Sequence, residues 1–297
     1  MDKECKERTE AMNPINRILL YFTLTVIVLS LAGGFSKPSS ELYRNQVAVL
    51  MYHHVHDQDE SSSTVTTGLF RGQLTYLQQK GYHFISLADF RRFMHGGSVP
   101  DNAVLVTFDD GYKSFYDNAY PILKQLGIPA VNFIVTSDLA DPLAPLIPTL
   151  SKEEIGEMLR QSPGMYDFQC HTDNLHRMIG NKAALTSVTD DQGNPISGDA
   201  YNAKIAADSA ACHQKLTELH GKPEAADAYA YPFGVFTKPA VQLVRQAGFQ
   251  YGFTIVGEMA TRASDPMQIP RINAGNPQIQ PANLHQIIMR RIETVKR

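Results

Sequence analysis

Tryptophan is absent from the 297 residues of this chain, and cysteine occurs only three times. The lack of Trp removes the side chain that most often stacks on sugar rings, although Tyr and Phe can take its place. Cys5, Cys170 and Cys212 have no metal-ligand spacing and form no disulfide framework. Cys170 and Cys212 could pair if the fold brings them together, but we expect both to be reduced and buried.

The chain also lacks a strong excess of charge of either sign. It has 27 Lys and Arg against 30 Asp and Glu, a formal net charge of -3, and its basic residues are scattered. The absence of a basic stripe argues against nucleic acid as a partner. The hydrophobic share of 43% is ordinary for a soluble protein, and the length suffices for one large domain or two small ones.

Long apolar runs are absent except near the N-terminus, where residues 18–35 are almost entirely apolar and follow Arg17. A membrane span needs ~20 such residues, so this run is at the short end of that range. Small residues at 32–34 suit signal-peptide cleavage equally well. We therefore expect export, with residues 1–17 as a cytoplasmic head, 18–35 as signal peptide or anchor, and 36–45 as a linker.

Residues 46–297 alternate between strand-like and helix-like segments and are expected to form one catalytic domain. This alternation predicts an α/β fold with a parallel sheet or barrel. The strand candidates are residues 47–52, 83–87, 104–108, 130–135, 167–170, 226–231 and 251–255. The helix candidates are residues 70–80, 88–93, 116–126, a helix opening at Ser151, 203–219 and 239–247.

Reactive residues follow several of these strands directly. They are His53, the pair Asp109 and Asp110, His171, and the turn 232–234. Because the carboxyl ends of parallel strands share one face of a barrel, we expect these residues to meet there. Core packing alone does not explain such a distribution.

The acid pair is the most informative of these features. Asp109 and Asp110 end the apolar run 104–108, and Gly111 after them permits a sharp turn or the close approach of a ligand. Buried carboxylates need a metal, a cation or a shared proton. The alternative is a helix N-terminus, where Asp109 would cap and Asp110 would favour the helix dipole.

His171 and His176 are five positions apart, which places them about 140° apart on a helix and on opposite faces of a strand. Only a loop that doubles back could aim both imidazoles at one ion. Together with one carboxylate of the acid pair, they would form a common catalytic ligand set for zinc.

The stretch 108–112 together with 171–176 resembles the polysaccharide deacetylases, the family 4 carbohydrate esterases with NodB homology. Their first two motifs are Thr-Phe-Asp-Asp-Gly and His-Thr/Ser-x-x-x-His. The resemblance covers roughly residues 47–277, and residues 49–55 resemble the branch that deacetylates poly-N-acetylglucosamine. It implies a distorted, incomplete (β/α) barrel.

The resemblance also implies a catalytic centre. Asp109 would be the general base, and Asp110, His171 and His176 would bind a divalent metal, Zn²⁺ with Co²⁺ or Ni²⁺ as alternatives. The metal would polarise the acetamide carbonyl and acidify water, whose proton Asp109 would accept. His53 would be the general acid that protonates the leaving amine, with His54 as its competitor, because strand alternation decides which of the two points inward.

Two further assignments depend on the family pattern. The turn after the strand 226–231 would supply substrate and oxyanion contacts through Tyr231, Pro232, Phe233 and Gly234. Many members carry an Arg before the Pro of this motif, where it tunes the base, but this chain has none. Arg271 is our candidate for that charge, and a surface or packing arginine is the alternative. The chain also has no late Leu-x-x-His acid motif.

The sequence thus predicts a metal-dependent hydrolase that removes N-acetyl groups from an extracellular aminosugar polymer, poly-β-1,6-N-acetylglucosamine. The alternatives are peptidoglycan, chitin or O-acetyl-xylan as substrate, or a non-catalytic carbohydrate-binding surface protein. A metal-free glycosidase is excluded because adjacent residues hold their carboxyls closer than the ~5 Å or more that such enzymes require. We expect a monomer at the extracellular face, anchored through the N-terminal segment or secreted.

Overall fold

The structure, a computed structural model, describes residues 42–293, which belong to one compact unit. The expected cytoplasmic head, the apolar run 18–35 and residues 36–41 of the linker lie outside the described residues. Between residues 42 and 293, no helix is both long enough and apolar enough to cross a membrane.

The main sheet has the strand order β11-β10-β7-β6-β5-β1-β12, with β13 also paired to β1 and β4 to β5. All its pairings are parallel except that of β1 with β12. The strands are β1 Gln46–Tyr52, β2 His54–Val55, β3 Thr64–Val65, β4 His83–Phe84, β5 Ala103–Phe108, β6 Ala130–Val135, β7 Tyr166–Thr172, β8 Met178–Ile179, β9 Lys182–Ala183, β10 Ala228–Ala230, β11 Tyr251–Phe253, β12 Ala260–Thr261 and β13 Ile272–Asn273.

The helices pack around this sheet, and each one predicted from the sequence is present with ends shifted by a few residues. They are α1 Thr67–Gln79, α2 Leu87–Met94, α3 Tyr120–Leu126, α4 Lys152–Gln161, α5 Gly198–His220, α6 Lys238–Gln246 and α7 Pro281–Arg291. A π-helical turn, Phe115–Ala119, precedes α3. Helix α4 begins with the capping box of Ser151 and Glu154, which satisfies two backbone donors at its N-terminus.

The sheet curls into an incomplete barrel, which confirms the predicted fold class. Inward-facing side chains such as Val49, Leu105 and Phe133 form an inner core with α2, whose buried residues close the N-terminal end of the barrel. The larger outer core lies between the sheet and the remaining helices. The C-terminal ends of the strands are thereby left as the open face, where parallel barrels place their sites.

One short segment spans the gap between the two ends of the curled sheet. Ile269 bridges Phe253 of β11 in parallel fashion, and β13 pairs with β1 at Leu50 and Met51. Residues 269–273 thus join strands that are not otherwise neighbours. Arg271 lies in the middle of this seam segment and is fully buried.

The expectation that Cys170 and Cys212 are reduced is wrong. They form a disulfide that joins β7 to α5, with their Cα atoms 6.2 Å apart, and both are fully buried as expected. They are 42 positions apart in the sequence with a long excursion between them, so sequence separation gave no measure of their distance. The packing of α5 against β7 brings them within the range that a disulfide requires.

Candidate active site

Two carboxylates leave the end of β5 in a backbone turn that few side chains tolerate. Asp110 has φ +71° and Gly111 φ +67°, and a Cβ at Gly111 would lie 3.0 Å from the Ile134 side chain. A non-glycine residue in this left-handed region is unusual and is often found at functional sites. Neither carboxylate caps the helical turn that follows, because that turn begins at Phe115 after Ser114.

Strand register explains why the predicted residues meet. Tyr52 pairs with Phe108, so His53 and Asp109 leave their strands side by side. Tyr229 pairs with Cys170, so His171 lies beside Ala230. All of these positions lie at the open, C-terminal end of the barrel strands.

Asp110, His171 and His176 converge on one point. Asp110 Oδ1 lies 3.3 Å from His171 Nε2 and 3.2 Å from His176 Nε2. This carboxylate oxygen is buried, yet it has no hydrogen-bond partner. His171 Nδ1 is 2.7 Å from the carbonyl oxygen of Ala230, an acceptor only, so Nδ1 carries the proton and Nε2 offers its lone pair. Converging acceptors without donors are the arrangement that a divalent cation fits.

The loop between the two histidines is held by a residue that sequence reasoning missed. Asp208, on α5 and nearly buried, accepts hydrogen bonds from Thr172 Oγ1 at 2.6 Å and from the backbone N–H groups of Asp173 and Asn174 at 3.1 and 2.7 Å. These bonds fold the chain back after β7, so that His176 returns towards His171. An acid within the otherwise buried stripe of α5 was the available signal.

Asp109 forms a bidentate ion pair with Arg271. Arg271 Nη1 and Nη2 lie 2.6 and 2.8 Å from the two carboxylate oxygens, and Nε donates to the carbonyl of Thr254 at 2.8 Å. Burial alone would raise the pKa of Asp109, but the guanidinium and the nearby imidazoles outweigh it and hold that pKa below its usual value. The structure therefore places Arg271 against this carboxylate and away from the surface, and its tuning role stays a prediction.

His53 and His54, which follow β1, point their side chains in different directions. His53 lines the cavity above the carboxylates, with Nε2 3.9 Å from Asp109 Oδ2. His54 is nearly buried, and its ring bonds Ser114 Oγ at 2.7 Å and Asp59 Oδ2 at 2.9 Å. Of the two candidates, only His53 is thus brought to the cleft.

Burial and nearby charges shift the pKa values of the two imidazoles, His171 and His176, in opposite directions. Burial lowers the pKa of His171, but the carboxylates of Asp110 and Asp109 that face the ring more than offset this, and the net shift is upward. Burial and repulsion by His171 lower the pKa of His176 to about 4. For Asp110, burial acts upward, but the imidazoles around it hold its pKa well below the usual range. The cluster thus keeps its carboxylate ionised.

Two adjoining hollows meet at this cluster. One, of about 270 Å³, contains His53 and both carboxylates, and the other, of about 450 Å³, extends past Asp138 and Leu146. They share only three lining residues, which are Asp110, Tyr112 and His176. The cleft therefore continues on both sides of Asp110 and His176, as a binding site for a chain-like molecule requires.

The turn after β10 is only partly in this cleft. Phe233 is 43% exposed and stacks on His176 with ring centroids 4.5 Å apart, and Gly234 also lines the cavity. Tyr231 is buried, and its hydroxyl donates to the carbonyl of Met267 at 2.9 Å. Pro232 has no N–H, and those of Tyr231 and Gly234 are engaged with Phe253 and Tyr231 carbonyls. Phe233 therefore offers the backbone amide of this turn.

Comparison with known proteins agrees with the family resemblance found in the sequence. Residues 96–252 match the family described as polysaccharide deacetylase. The poly-β-1,6-N-acetyl-D-glucosamine N-deacetylase of Staphylococcus epidermidis is 28% identical over 248 residues, 78% of this chain and 80% of that protein. The protein of the same name from Staphylococcus aureus is 29% identical over 75% of this chain and 71% of its own.

Solved structures show the same architecture. IcaB from Ammonifex degensii superposes with a TM-score of 0.64 at 27% identity, covering 82% of this chain and 95% of that one. A de-N-acetylase from Aggregatibacter actinomycetemcomitans gives a TM-score of 0.71 at 23% identity, over 82% of this chain and 100% of its own.

Proposed function

The chain belongs to the polysaccharide deacetylase family, and we propose that it hydrolyses N-acetyl groups of an aminosugar polymer, poly-β-1,6-N-acetylglucosamine, using a divalent cation. The observation that carries this proposal is the convergence of Asp110, His171 and His176, without a donor for Asp110 Oδ1, beside the ionised carboxylate of Asp109. The polymer is proposed from the names of the relatives.

In this proposal Asp109 accepts the proton of the attacking water. Its lowered pKa keeps it ionised, but it also makes the carboxylate a weak base towards ordinary water. A cation held by Asp110, His171 and His176 would lower the pKa of that water and polarise the amide carbonyl. A weak base therefore suffices, because the cation would make the water that gives up its proton to Asp109 more acidic.

The remaining roles follow from position. His53, in the same cavity as the cluster and 3.9 Å from Asp109, donates a proton to the leaving amine. The backbone N–H of Phe233 stabilises the oxyanion, and its ring offers the stacking surface for a sugar that Trp would otherwise provide. The hollow beyond Tyr112 accommodates neighbouring units of the polymer.

The donor set and the disulfide support two finer parts of the proposal. Two imidazoles with one carboxylate form a zinc-type site, so Zn²⁺ is the proposed ion, with Co²⁺ or Ni²⁺ as substitutes. A buried disulfide between Cys170 and Cys212 favours an oxidising compartment, which agrees with export directed by residues 18–35. We propose that the protein acts as a monomer at the cell envelope, anchored or secreted.

The decisive test is acetate release from β-1,6-linked N-acetylglucosamine oligomers. We expect release by the full chain that stops on chelation and returns on addition of Zn²⁺, Co²⁺ or Ni²⁺. Acetylated β-1,4 oligomers and acetylated xylan, assayed in parallel, determine the linkage and the type of acetyl group. If no acetyl substrate is turned over with any of these metals, the enzymatic proposal fails and a carbohydrate-binding role takes its place.

His53→Ala is expected to lower kcat by about 10²- to 10⁴-fold, the usual contribution of a general acid, while metal content stays at the wild-type level. His83→Ala is the matched control, because that exposed ring bonds the Asp101 carbonyl, far from the cleft. Turnover and metal content are measured on the same preparations. An unchanged kcat in His53→Ala would assign the proton donor to another group.

Arg271→Met is expected to shift the acidic limb of the kcat/KM profile to higher pH. Without the guanidinium, only the nearby imidazoles oppose the effect of burial, and the pKa of Asp109 rises, so the base becomes protonated at a pH where the wild type is still active. Loss of one partner of a buried ion pair should also cost about 3–5 kcal/mol of stability.

The matched control for this change is Arg91→Met. Arg91 pairs with Asp227 and Asp167 at the opposite end of the barrel, so its loss should destabilise the fold without moving the limb. The pH profiles and denaturant unfolding of both variants are compared with the wild type. A limb that stays in place in Arg271→Met would refute the tuning role.

A further inference from the structure

A second group of metal-binding side chains lies outside the catalytic cleft. His54, His56 and Asp59 hold ligand atoms within 4.8 Å of one another. Asp59 Oδ2 is 2.9 Å from His54 Nε2 and 3.2 Å from His56 Nδ1, and the two imidazole rings are stacked with centroids 5.2 Å apart. A separate hollow of about 250 Å³ opens onto all three side chains.

His56 presents an unprotonated ring nitrogen to a carboxylate. His56 Nδ1 accepts the backbone N–H of Asp59 at 3.0 Å, so it carries no proton. The same nitrogen lies 3.2 Å from Asp59 Oδ2, which is also only an acceptor when ionised. Two acceptors at this distance repel each other. A cation that replaces the backbone N–H groups of Gln58 and Asp59 as the partner of the Nδ1 lone pair turns this repulsion into attraction.

His54 can serve the same ion without losing its other partner. Its Nδ1 is 2.7 Å from Ser114 Oγ, a hydroxyl that accepts a proton as readily as it donates one. With the proton on Nδ1 and bonded to Ser114, Nε2 offers a lone pair towards Asp59. A histidine ligand whose far nitrogen donates to a fixed partner is the usual arrangement at metal sites.

We propose that His54, His56 and Asp59 form a second divalent-cation site of zinc type, distinct from the catalytic cluster. Two imidazole nitrogens and a carboxylate oxygen are the ligands, and water completes the coordination.

The charges around this hollow also suit a cation. Lys113 lines the hollow, but its ammonium is paired with Glu154, and Asp117 adds a further carboxylate. Because Asp59 is half exposed whereas His171 and Asp110 are buried, this site binds more weakly than the catalytic one.

The position of the site assigns it a structural role. His54 belongs to β2, whereas His56 and Asp59 lie in the loop, residues 56–63, that leads to β3. Ser63 at the end of that loop lines the catalytic cavity, and His53 immediately precedes β2. A bound cation thus clamps this loop to β2 and fixes one wall of the cleft.

Zinc stoichiometry of the full chain tests the proposal, measured by equilibrium dialysis and elemental analysis. We expect two ions per wild-type chain, with the second bound at higher free zinc, and one ion in His56→Ala and in the milder Asp59→Asn. His83→Ala, which removes an exposed histidine elsewhere, should still bind two. A single ion in the wild type, or two ions in both His56→Ala and Asp59→Asn, would overturn the proposal.

Backbone hydrogen exchange provides a readout that does not depend on activity. Zinc added beyond the first equivalent should slow exchange in residues 56–63 of the wild type and leave that loop unaffected in His56→Ala. Unchanged exchange in the wild-type loop at two bound ions would refute the clamp.

Discussion

Asp109→Asn is expected to lower kcat about 10³-fold or more while the bound metal remains at wild-type content. An amide cannot take the proton of water, but its oxygen can still accept a hydrogen bond from Arg271, which lies 2.6 and 2.8 Å from the carboxylate oxygens. The proposed metal ligands do not include this side chain, since Asp110, His171 and His176 converge without it. Turnover and metal analysis of the purified variant therefore separate the base from the ion site.

Asp110→Asn is the matched control for this prediction. The two carboxylates are neighbours in sequence and similarly buried, but only Asp110 contacts the two imidazoles. We expect this variant to lose metal and activity together. If Asp109→Asn also lost its metal, or kept wild-type turnover, the division of roles between the two aspartates would be wrong.

His176→Ala is expected to weaken metal binding by more than the 10- to 100-fold that changes to outer partners usually cause, with turnover lost in parallel. This imidazole supplies one of three converging ligand atoms and also packs against Phe233. Zinc titration monitored by competition with a chelator gives the affinity, and acetate release is measured at each metal concentration.

Recovery of turnover at high zinc concentration distinguishes the loss of a metal ligand from the loss of the packing between His176 and Phe233. If His176 acts as a ligand, saturating zinc should restore part of the turnover, since Asp110 and His171 remain in place. The control is Phe233→Leu, which removes the stacked ring but no ligand and should keep its zinc affinity. Wild-type zinc affinity in His176→Ala would exclude it from the cation site.

The sequence predicted the order of strands and helices well because buried parallel strands are continuous apolar runs. The run 104–108 became β5 and the run 130–135 became β6 with almost the predicted bounds. Parallel strands also explain why residues at four strand ends were correctly expected on one face. Local patterns sufficed wherever the structure depends on neighbours along the chain.

Contacts between residues far apart in the chain could not be predicted from the sequence. The disulfide needs the packing angle of α5 on β7, which no local pattern records, and the expectation of free thiols failed there. Asp208 reaches the His171–His176 loop across 34 residues or more, so its role appeared only in the structure. The choice between His53 and His54 depended on the register of β1, which a one-residue slip would reverse.

The seam segment 269–273 has a consequence for how the chain matures. During synthesis Asp109 emerges 162 residues before Arg271, its counter-charge. A nascent or truncated chain that ends before residue 269 contains the base but neither the guanidinium nor the strand pairing that bridges β11 and β1. Burial of an unpaired carboxylate opposes folding in that intermediate. Pairing of Asp109 with its counter-charge and completion of the barrel are therefore one late step, and we expect a shortened product to lack a working site.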